Sequence, residues 1–222
     1  MLTRPQAVLF DLDGTLLDTA DDLGAALNFV LAKYDMPAVA HEIFRPIASD
    51  GAKGLLELGF GEQLKQYDYD QLRVEFLEYY QANIAEHTRL YPGVAELISY
   101  LEQQSMPWGI VTNKPEGLTL ELLPAFNELA NCQVIVGGDS LAKRKPDPLP
   151  ITHACQQIDA DCAHTWYIGD APRDIEAGNA ANTTSIVAGW GYISNLADCN
   201  AWQAAAITQS ADALLALIKQ HR

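Results

Sequence analysis

The chain has 222 residues, which is long for one domain and short for two, so a core with a smaller insert is expected. Its formal net charge of −15 at pH 7 repels phosphate backbones and anionic lipids, so we expect neither nucleic acid nor a membrane as a partner. No apolar run approaches the roughly 20 residues needed to span a bilayer, and the cysteines form no Cys-x-x-Cys pair. Together with the lack of a secretory signal pattern, this favours reduced thiols and a cytoplasmic location.

The first predicted strand, Ala7 to Phe10, is a short apolar run that fits a strand buried on both faces. Asp11 and Asp13 follow it directly, and Gly14 allows the backbone to turn. Ligands of open α/β sheets bind at the carboxyl ends of the strands, so an acidic pair there is placed for chemistry. One of the two carboxylates can attack as a nucleophile while the other transfers protons. A bare Asp-x-Asp-Gly also fits an ordinary acidic turn.

The next seventy residues carry helical patterns only. Apolar residues at helical spacing predict an amphipathic helix over 20–34 and a longer helix over about 70–87. Between them, 43–58 predicts shorter helices around a loop from Ser49 to Gly54. We find no strand pattern between Asp18 and Thr88.

After Gly93 the pattern changes to an alternation of helices and strands, which is typical of a parallel sheet with crossover helices. The predicted strands are Trp108 to Thr112, Gln133 to Gly137, Thr165 to Gly169 and Thr184 to Ala188. The predicted helices are 94–104, 118–129, 149–157, 174–181 and 211–219, the last with Ser210 as N-cap. The sequence therefore predicts an α/β protein: a Rossmann-like, doubly wound parallel sheet of residues 1–17 and 89–222, interrupted by a helical insert over 18–88.

Polar residues follow the other predicted strands as well. Thr112 and Asn113 could donate hydrogen bonds to phosphate oxygens, although Thr112 alone also fits a β-branched strand terminus. Lys145 precedes Pro146, which biases its backbone towards an extended form and could hold its ammonium near a transferring phosphoryl group. The alternative for this basic run is a solvated loop, which we expect for Lys143 and Arg144.

Asp170 and Asp174 follow the strand at Thr165. Mg²⁺ prefers octahedral oxygen ligation with one or two carboxylates and retained waters. Asp174 also suits the first turn of a helix, a structural role that can coexist with a metal site.

These motifs together resemble those of the haloacid dehalogenase-like phosphohydrolases. The string DLDGTLLDT resembles the family's first motif, Lys-Pro-Asp-Pro at Lys145 its third, and Gly169, Asp170, Asp174 and Gly178 its fourth. The resemblance implies that Asp11 forms an aspartyl-phosphate, that Asp13 is the general acid and base, and that Lys145 is catalytic. It also implies a central strand at Ala7, flanked by those at Trp108 and Thr165, and a helical-bundle cap that closes over the site.

The implied reaction is Mg²⁺-dependent hydrolysis of a small phosphate monoester. The expected phosphate-binding residues are Gly14, Thr112, Asn113 and Lys145. The expected metal ligands are Asp11, the backbone carbonyl of Asp13 and Asp170, with Asp174 steering the metal-bound waters. Within the family the chain looks most like phosphoglycolate phosphatases and bacterial N-acetylmuramate 6-phosphate phosphatase, so either phosphate ester is the expected substrate.

Three alternative functions share part of this pattern. A sugar phosphomutase of the same family shares the motifs. A signalling receiver domain also uses an aspartyl-phosphate, but it lacks both the second Asp and a helical insert. A hydrolytic dehalogenase releases a halide, which needs no general acid to protonate it. Substrate choice is expected in the cap, where Arg45, Ser49 and Lys53 could reach a carboxylate. The expected partner is a small phosphorylated metabolite, and the expected assembly is a monomer or weak dimer.

Overall fold

A computed structural model describes residues 2–221 and divides the chain into two compact units. The helical unit is Asp18–Arg89, one residue longer than the predicted insert of 18–88. The rest of the described chain forms the core unit. Within residues 2–221, the strands lie in the core unit and in its two connections to the helical unit.

The strands, in chain order, are β1 Ala7–Phe10, β2 Leu17–Asp18, β3 Arg89–Leu90, β4 Trp108–Val111, β5 Ile135–Val136, β6 Thr165–Gly169, β7 Thr184–Ala188 and β8 Ala206–Thr208. Six of them form one parallel sheet in the order β5-β4-β1-β6-β7-β8, while β2 and β3 pair separately where the chain passes between the units. The order confirms the expected central position of β1 between β4 and β6. The edge strand β8 was not predicted, because three residues are too few to show a period.

The register of the sheet brings the polar strand ends to one edge. Phe10 of β1 lies opposite Ile110 of β4 on one side and Ile168 of β6 on the other. Asp11, Thr112 and Asp170 each come directly after the last residue of their strand, so they emerge side by side. Apolar side chains from β1, β4 and β6 and from the covering helices fill the layer beneath, among them Leu9, Val111 and Ile151.

The helices, in chain order, are α1 Ala20–Lys33, α2 His41–Phe44, α3 Gly51–Phe60, α4 Tyr69–Ala82, α5 Val94–Gln103, α6 Glu116–Leu122, α7 Leu149–Gln157, α8 Pro172–Ala180 and α9 Ala211–Gln220. In the helical unit, α1 packs against both α3 and α4. Ser210 caps α9 as expected, since its hydroxyl accepts a hydrogen bond from Ala213 N at 3.1 Å. No helix in residues 2–221 combines the length and the apolar character needed to cross a membrane.

Two expectations for the helical unit were wrong. The predicted loop Ser49–Gly54 is instead the end of a 3₁₀ helix, Arg45–Asp50, followed by the first turn of α3. Gly51, with φ of 61°, marks the junction, and burial of Leu55 and Leu56 keeps the glycine-rich turn helical. The predicted helix 70–87 ends at Ala82.

Asp22 explains why α4 does not continue to residue 87. Its buried carboxylate accepts hydrogen bonds from His87 N and Thr88 N, both at 2.9 Å, and from Thr88 Oγ1 at 2.6 Å. These bonds hold His87 and Thr88 in an extended path towards β3. A helical pattern in the sequence cannot reveal such a partner, because Asp22 lies in a different helix.

Candidate active site

Asp11 lies at the end of β1, where it is buried and tied to the backbone. Its N–H donates to Ile168 O at 2.8 Å, and its Oδ1 accepts from Leu12 N at 2.7 Å. The same oxygen lies 3.0 Å from the ammonium of Lys145. Among residues 2–221, Oδ2 has no hydrogen-bond or ion-pair partner, so one oxygen is fixed while the other is open to a reactant.

Asp170 and Asp174 lie beside Asp11 as the fourth motif predicts. One ligand atom from each of the three carboxylates lies within 4.8 Å of the others, and all three side chains are buried. Asp174 Oδ2 accepts from Ala171 N at 3.0 Å, so the residue also caps α8. Asp170 Oδ2 accepts from Tyr192 N at 2.9 Å, which fixes its orientation from the loop after β7.

Glycines leave room for the Asp170 carboxylate. A Cβ added to Gly14, whose φ is 84°, would lie 2.2 Å from Asp170 Oδ2, and one added to Gly191 would lie 2.3 Å from Asp170 Cβ. A side chain at either position would displace Asp170. Gly14 N–H donates to Leu17 O at 2.9 Å within its own turn, and its contact with phosphate stays a prediction.

Lys145 is the central cation of the cluster, and its side chain is fully buried. Its Nζ lies 2.8 Å from Asp174 Oδ1 and 3.0 Å from Asp11 Oδ1, so it bridges the two carboxylates. Burial raises the pKa of Asp174, an effect that Lys145 opposes and the charge of Asp11 reinforces. Lys143 and Arg144 are exposed, as expected for the rest of this basic run.

Asp13 points to a different partner from Asp11. Its Oδ1 lies 3.2 Å from Nζ of Lys114, a lysine whose side chain is only 5% exposed. The two acidic residues of the first motif therefore each face a separate lysine. This separation suits two different tasks, since Asp13 is not drawn into the carboxylate cluster around Lys145.

Thr112 and Asn113 lie at the end of β4. Thr112 Oγ1 accepts from Lys114 N at 3.2 Å, and Asn113 Nδ2 donates to the backbone carbonyl of Lys145 at 2.9 Å. Asn113 therefore supports the segment that carries Lys145 and retains a second amide N–H. The predicted contacts of both residues with phosphate stay predictions.

The residues predicted for substrate recognition, Arg45, Ser49 and Lys53, all belong to the helical unit. The guanidinium of Arg45 makes a bidentate contact with Asp18, with distances of 2.9 Å and 2.8 Å. Ser49 is half-buried at the end of the 3₁₀ helix. Lys53 is exposed, with its Nζ 3.9 Å from Glu57 Oε1.

The charges and donor atoms of the site fit a divalent cation. Three buried carboxyl groups, those of Asp11, Asp170 and Asp174, lie around one fully buried cation, Lys145, so negative charge is in excess in this cluster. Oxygen donors of this kind suit Mg²⁺ and do not suit softer metals.

Sequence reasoning missed two residues of this cluster. Lys114 stands two positions after Thr112, but no role was assigned to it. Tyr167 lies in β6, where its hydroxyl contacts Lys145 Nζ at 2.8 Å. The available signal was a hydroxyl in a strand of the predicted parallel sheet. Strands of such sheets are usually buried on both faces, and a buried hydroxyl needs a polar partner.

Comparison with known proteins supports the same chemistry. A family model described as haloacid dehalogenase-like hydrolase matches residues 8–188. The chain is 42% identical over 200 residues to a phosphoglycolate phosphatase of Xanthomonas campestris pv. campestris, covering 90% of each chain. It is 37% identical over 201 residues to an N-acetylmuramic acid 6-phosphate phosphatase of Pseudomonas putida, also covering 90% of each.

A solved structure shows a similar fold. It is that of a predicted phosphoglycolate phosphatase from Haemophilus somnus, with a TM-score of 0.86 and 26% sequence identity. The match covers 98% of this chain and 99% of that one. The similarity therefore extends over both units and is not limited to the sheet.

Proposed function

The chain belongs to the haloacid dehalogenase-like hydrolase family and is a phosphoric monoester hydrolase, and we propose that it works through an aspartyl-phosphate on Asp11. The observation that supports this most directly is the joint placement of Asp11, Asp170, Asp174 and Lys145 at the strand ends. The proposed nucleophile is Oδ2 of Asp11, the oxygen that has no partner within residues 2–221. Its fixed partner oxygen, held by Leu12 N and Lys145, keeps the carboxylate aimed.

In the proposed reaction, a carboxylate oxygen of Asp11 attacks phosphorus as the ester P–O bond breaks. Asp13 gives its proton to the leaving alkoxide, which departs as the alcohol. Asp13 then takes a proton from water, and the water oxygen attacks phosphorus to release inorganic phosphate and free Asp11. Throughout, Lys145 offsets the negative charge shared by Asp11 and the phosphoryl group.

The proposed cofactor is Mg²⁺. Asp11, Asp170 and the backbone carbonyl of Asp13 would hold the ion, with Asp174 orienting its waters. When bound, the ion supplies positive charge that reduces repulsion between the carboxylates and the phosphate dianion. The excess of negative charge among the described side chains supports this assignment.

The proposed substrate is a small phosphate monoester that carries a carboxylate, either 2-phosphoglycolate or N-acetylmuramate 6-phosphate. The names of the relatives from Xanthomonas campestris pv. campestris and Pseudomonas putida support these two candidates. The helical unit is the proposed cap and site of substrate choice. A cytoplasmic location and a monomer or weak dimer stay predictions.

The deciding experiment is a comparison of kcat/KM over a panel of phosphate esters. The panel contains 2-phosphoglycolate, N-acetylmuramate 6-phosphate, glucose phosphates and pyridoxal phosphate. We expect one of the two carboxylate-bearing esters to give the highest kcat/KM. Fastest hydrolysis of a glucose phosphate would contradict the proposed substrate class. Conversion of a glucose phosphate to an isomer without release of phosphate would favour the mutase.

The proposed role of the cap predicts a selective effect of Arg45→Ala or Lys53→Ala. Each should lower kcat/KM for the carboxylate-bearing substrate by an amount equivalent to about 2 to 4 kcal/mol, the cost of truncating a charged partner that becomes buried when the substrate binds. Activity on p-nitrophenyl phosphate should change little, because that ester has no carboxylate. Because Asp18 already holds the Arg45 guanidinium, binding through Arg45 requires the substrate carboxylate to replace or share that partner.

Lys65→Ala is the matched control for this prediction. Lys65 is an exposed lysine of the same unit, paired with Glu62, and its loss should affect neither substrate. Equal losses on both substrates in the Arg45 or Lys53 variant would mean that the substitution disturbed folding or closure. The cap residues would then have no claim to substrate choice.

A further inference from the structure

Tyr167 has a polar contact in the apolar layer beneath the candidate site. Its side chain is completely buried, and its ring belongs to the apolar cluster that includes Leu9 and Val111. The hydroxyl donates to the backbone carbonyl of Val111 at 2.8 Å and accepts from Lys145 Nζ at 2.8 Å. Because β1 lies between β6 and β4, the side chain reaches past one strand to the last residue of the next.

Lys145 Nζ is surrounded by four oxygen atoms. Two belong to the carboxylates of Asp11 and Asp174, and two are neutral: Val111 O and Tyr167 Oη, both at 2.8 Å. The two carboxylates alone would take two of the three N–H donors of the ammonium and leave the third free to reorient. Val111 O and Tyr167 Oη together fix the direction of that third donor, and Tyr167 also holds Val111 O in place through its own donated bond.

The hydroxyl stays protonated, so this arrangement does not change with the working pH. Burial raises the pKa of Tyr167 well above its usual value, and the charges of Asp174 and Asp11 add to the effect. A neutral hydroxyl can both donate to Val111 O and accept from Lys145, which a phenolate could not do. The buried ring would pack equally well without the oxygen, so core packing alone does not account for the hydroxyl.

We propose that Tyr167 is a positioning residue for the phosphatase reaction: its hydroxyl sets the place of the Lys145 ammonium relative to Asp11. This inference rests on the proposed function, in which Lys145 offsets the charge that develops between Asp11 and the phosphoryl group. Displacement of the ammonium would weaken its stabilisation of the transition state more than its stabilisation of the bound substrate. The expected consequence is a loss in turnover with little change in ground-state binding.

Tyr167→Phe tests the inference, because it removes only the hydroxyl and keeps the ring. The centroid of that ring lies 5.5 Å from Lys145 Nζ. We expect kcat to fall by about tenfold, equivalent to about 1.4 kcal/mol in activation free energy. The inhibition constant for orthovanadate, which mimics the five-coordinate phosphorus, should rise by a similar factor. The inhibition constant for inorganic phosphate should change less than about twofold.

Thr165→Val is the matched control. Thr165 lies on the same strand, is equally buried, and loses a hydroxyl bond to Asp161 O at 2.8 Å, yet it makes no contact with Lys145. It should leave both inhibition constants unchanged. Because an inhibition constant does not depend on the fraction of folded enzyme, the vanadate-to-phosphate ratio separates positioning from simple destabilisation.

The outcomes distinguish this inference from the proposed function. A wild-type ratio of inhibition constants in active Tyr167→Phe enzyme would overturn the role of Tyr167 and leave the phosphatase mechanism intact. The same would follow if Thr165→Val changed the ratio to the same extent. Wild-type enzyme that releases no phosphate from any ester of the panel would overturn the proposed function, and the inference with it.

Discussion

Asp11→Asn is expected to abolish phosphatase activity while the protein remains folded. An amide has nearly the shape of a carboxylate but is not a nucleophile, so the aspartyl-phosphate cannot form. We expect kcat to fall by at least about a thousandfold, equivalent to ~4 kcal/mol. The amide oxygen can still accept the hydrogen bond from Leu12 N, and Lys145 keeps Asp174 as its counter-charge, so the fold should survive.

The matched control is Asp159→Asn, the same chemical change in the same unit. Asp159 lies in the turn after α7, with φ of 53°, a conformation that asparagine adopts readily. It should retain full activity, and both variants should give wild-type circular dichroism. Residual turnover of Asp11→Asn within about tenfold of wild type, a loss of only ~1.4 kcal/mol, would contradict its assignment as nucleophile.

The sheet could be predicted because a parallel strand buried on both faces gives a continuous apolar run. Ala7–Phe10 is such a run, and Thr165–Gly169 and Thr184–Ala188 become mainly apolar after their first one or two residues. The observed bounds of all three strands agree with the predicted ones. The residues after these runs then define one edge of the sheet. This is why Asp11 and Asp170 could be expected to lie close together although they are far apart in the chain.

The helical unit was harder to predict because its boundaries depend on distant partners. The carboxylate of Asp22 accepts hydrogen bonds from His87 N and Thr88 N, which keeps these residues out of α4. The guanidinium of Arg45 is held by Asp18. Neither pairing leaves a periodic trace in the sequence. The same limit applies to Tyr167. Its residue type is visible in β6, but the partners of its hydroxyl are a carbonyl oxygen of β4, Val111 O, and the Lys145 ammonium from the segment after β5.

Removal of Mg²⁺ is expected to stop turnover completely. Without the ion, the phosphate dianion would meet three carboxyl groups, those of Asp11, Asp170 and Asp174. Among the described residues, Lys145 would be the only fully buried positive charge beside them. Dialysis against EDTA should silence the enzyme and added Mg²⁺ should restore it. Ca²⁺ should restore little activity, because its larger and more variable ligand shell would misplace the attacking carboxylate.

Thermal unfolding gives a second measurement that does not depend on turnover. A ligand that binds only the folded state stabilises it by about 2.7 kcal/mol when present at 100 times its dissociation constant. Mg²⁺ should therefore raise the Tm of the wild type and of Asp159→Asn. Asp170→Asn should lose most of this increase, because it removes one carboxylate of the three that lie within 4.8 Å of one another.

The two measurements together decide whether the carboxylate cluster is the metal site. Full activity in metal-free buffer would contradict the requirement for Mg²⁺. An equal Mg²⁺-dependent rise of Tm in Asp170→Asn and wild type would place the ion elsewhere on this acidic protein, whose formal charge of −15 offers many weak sites. Loss of both turnover and the Tm response in Asp170→Asn, with Asp159→Asn unaffected, is the result expected if the excess negative charge at the strand ends is there to bind the cation.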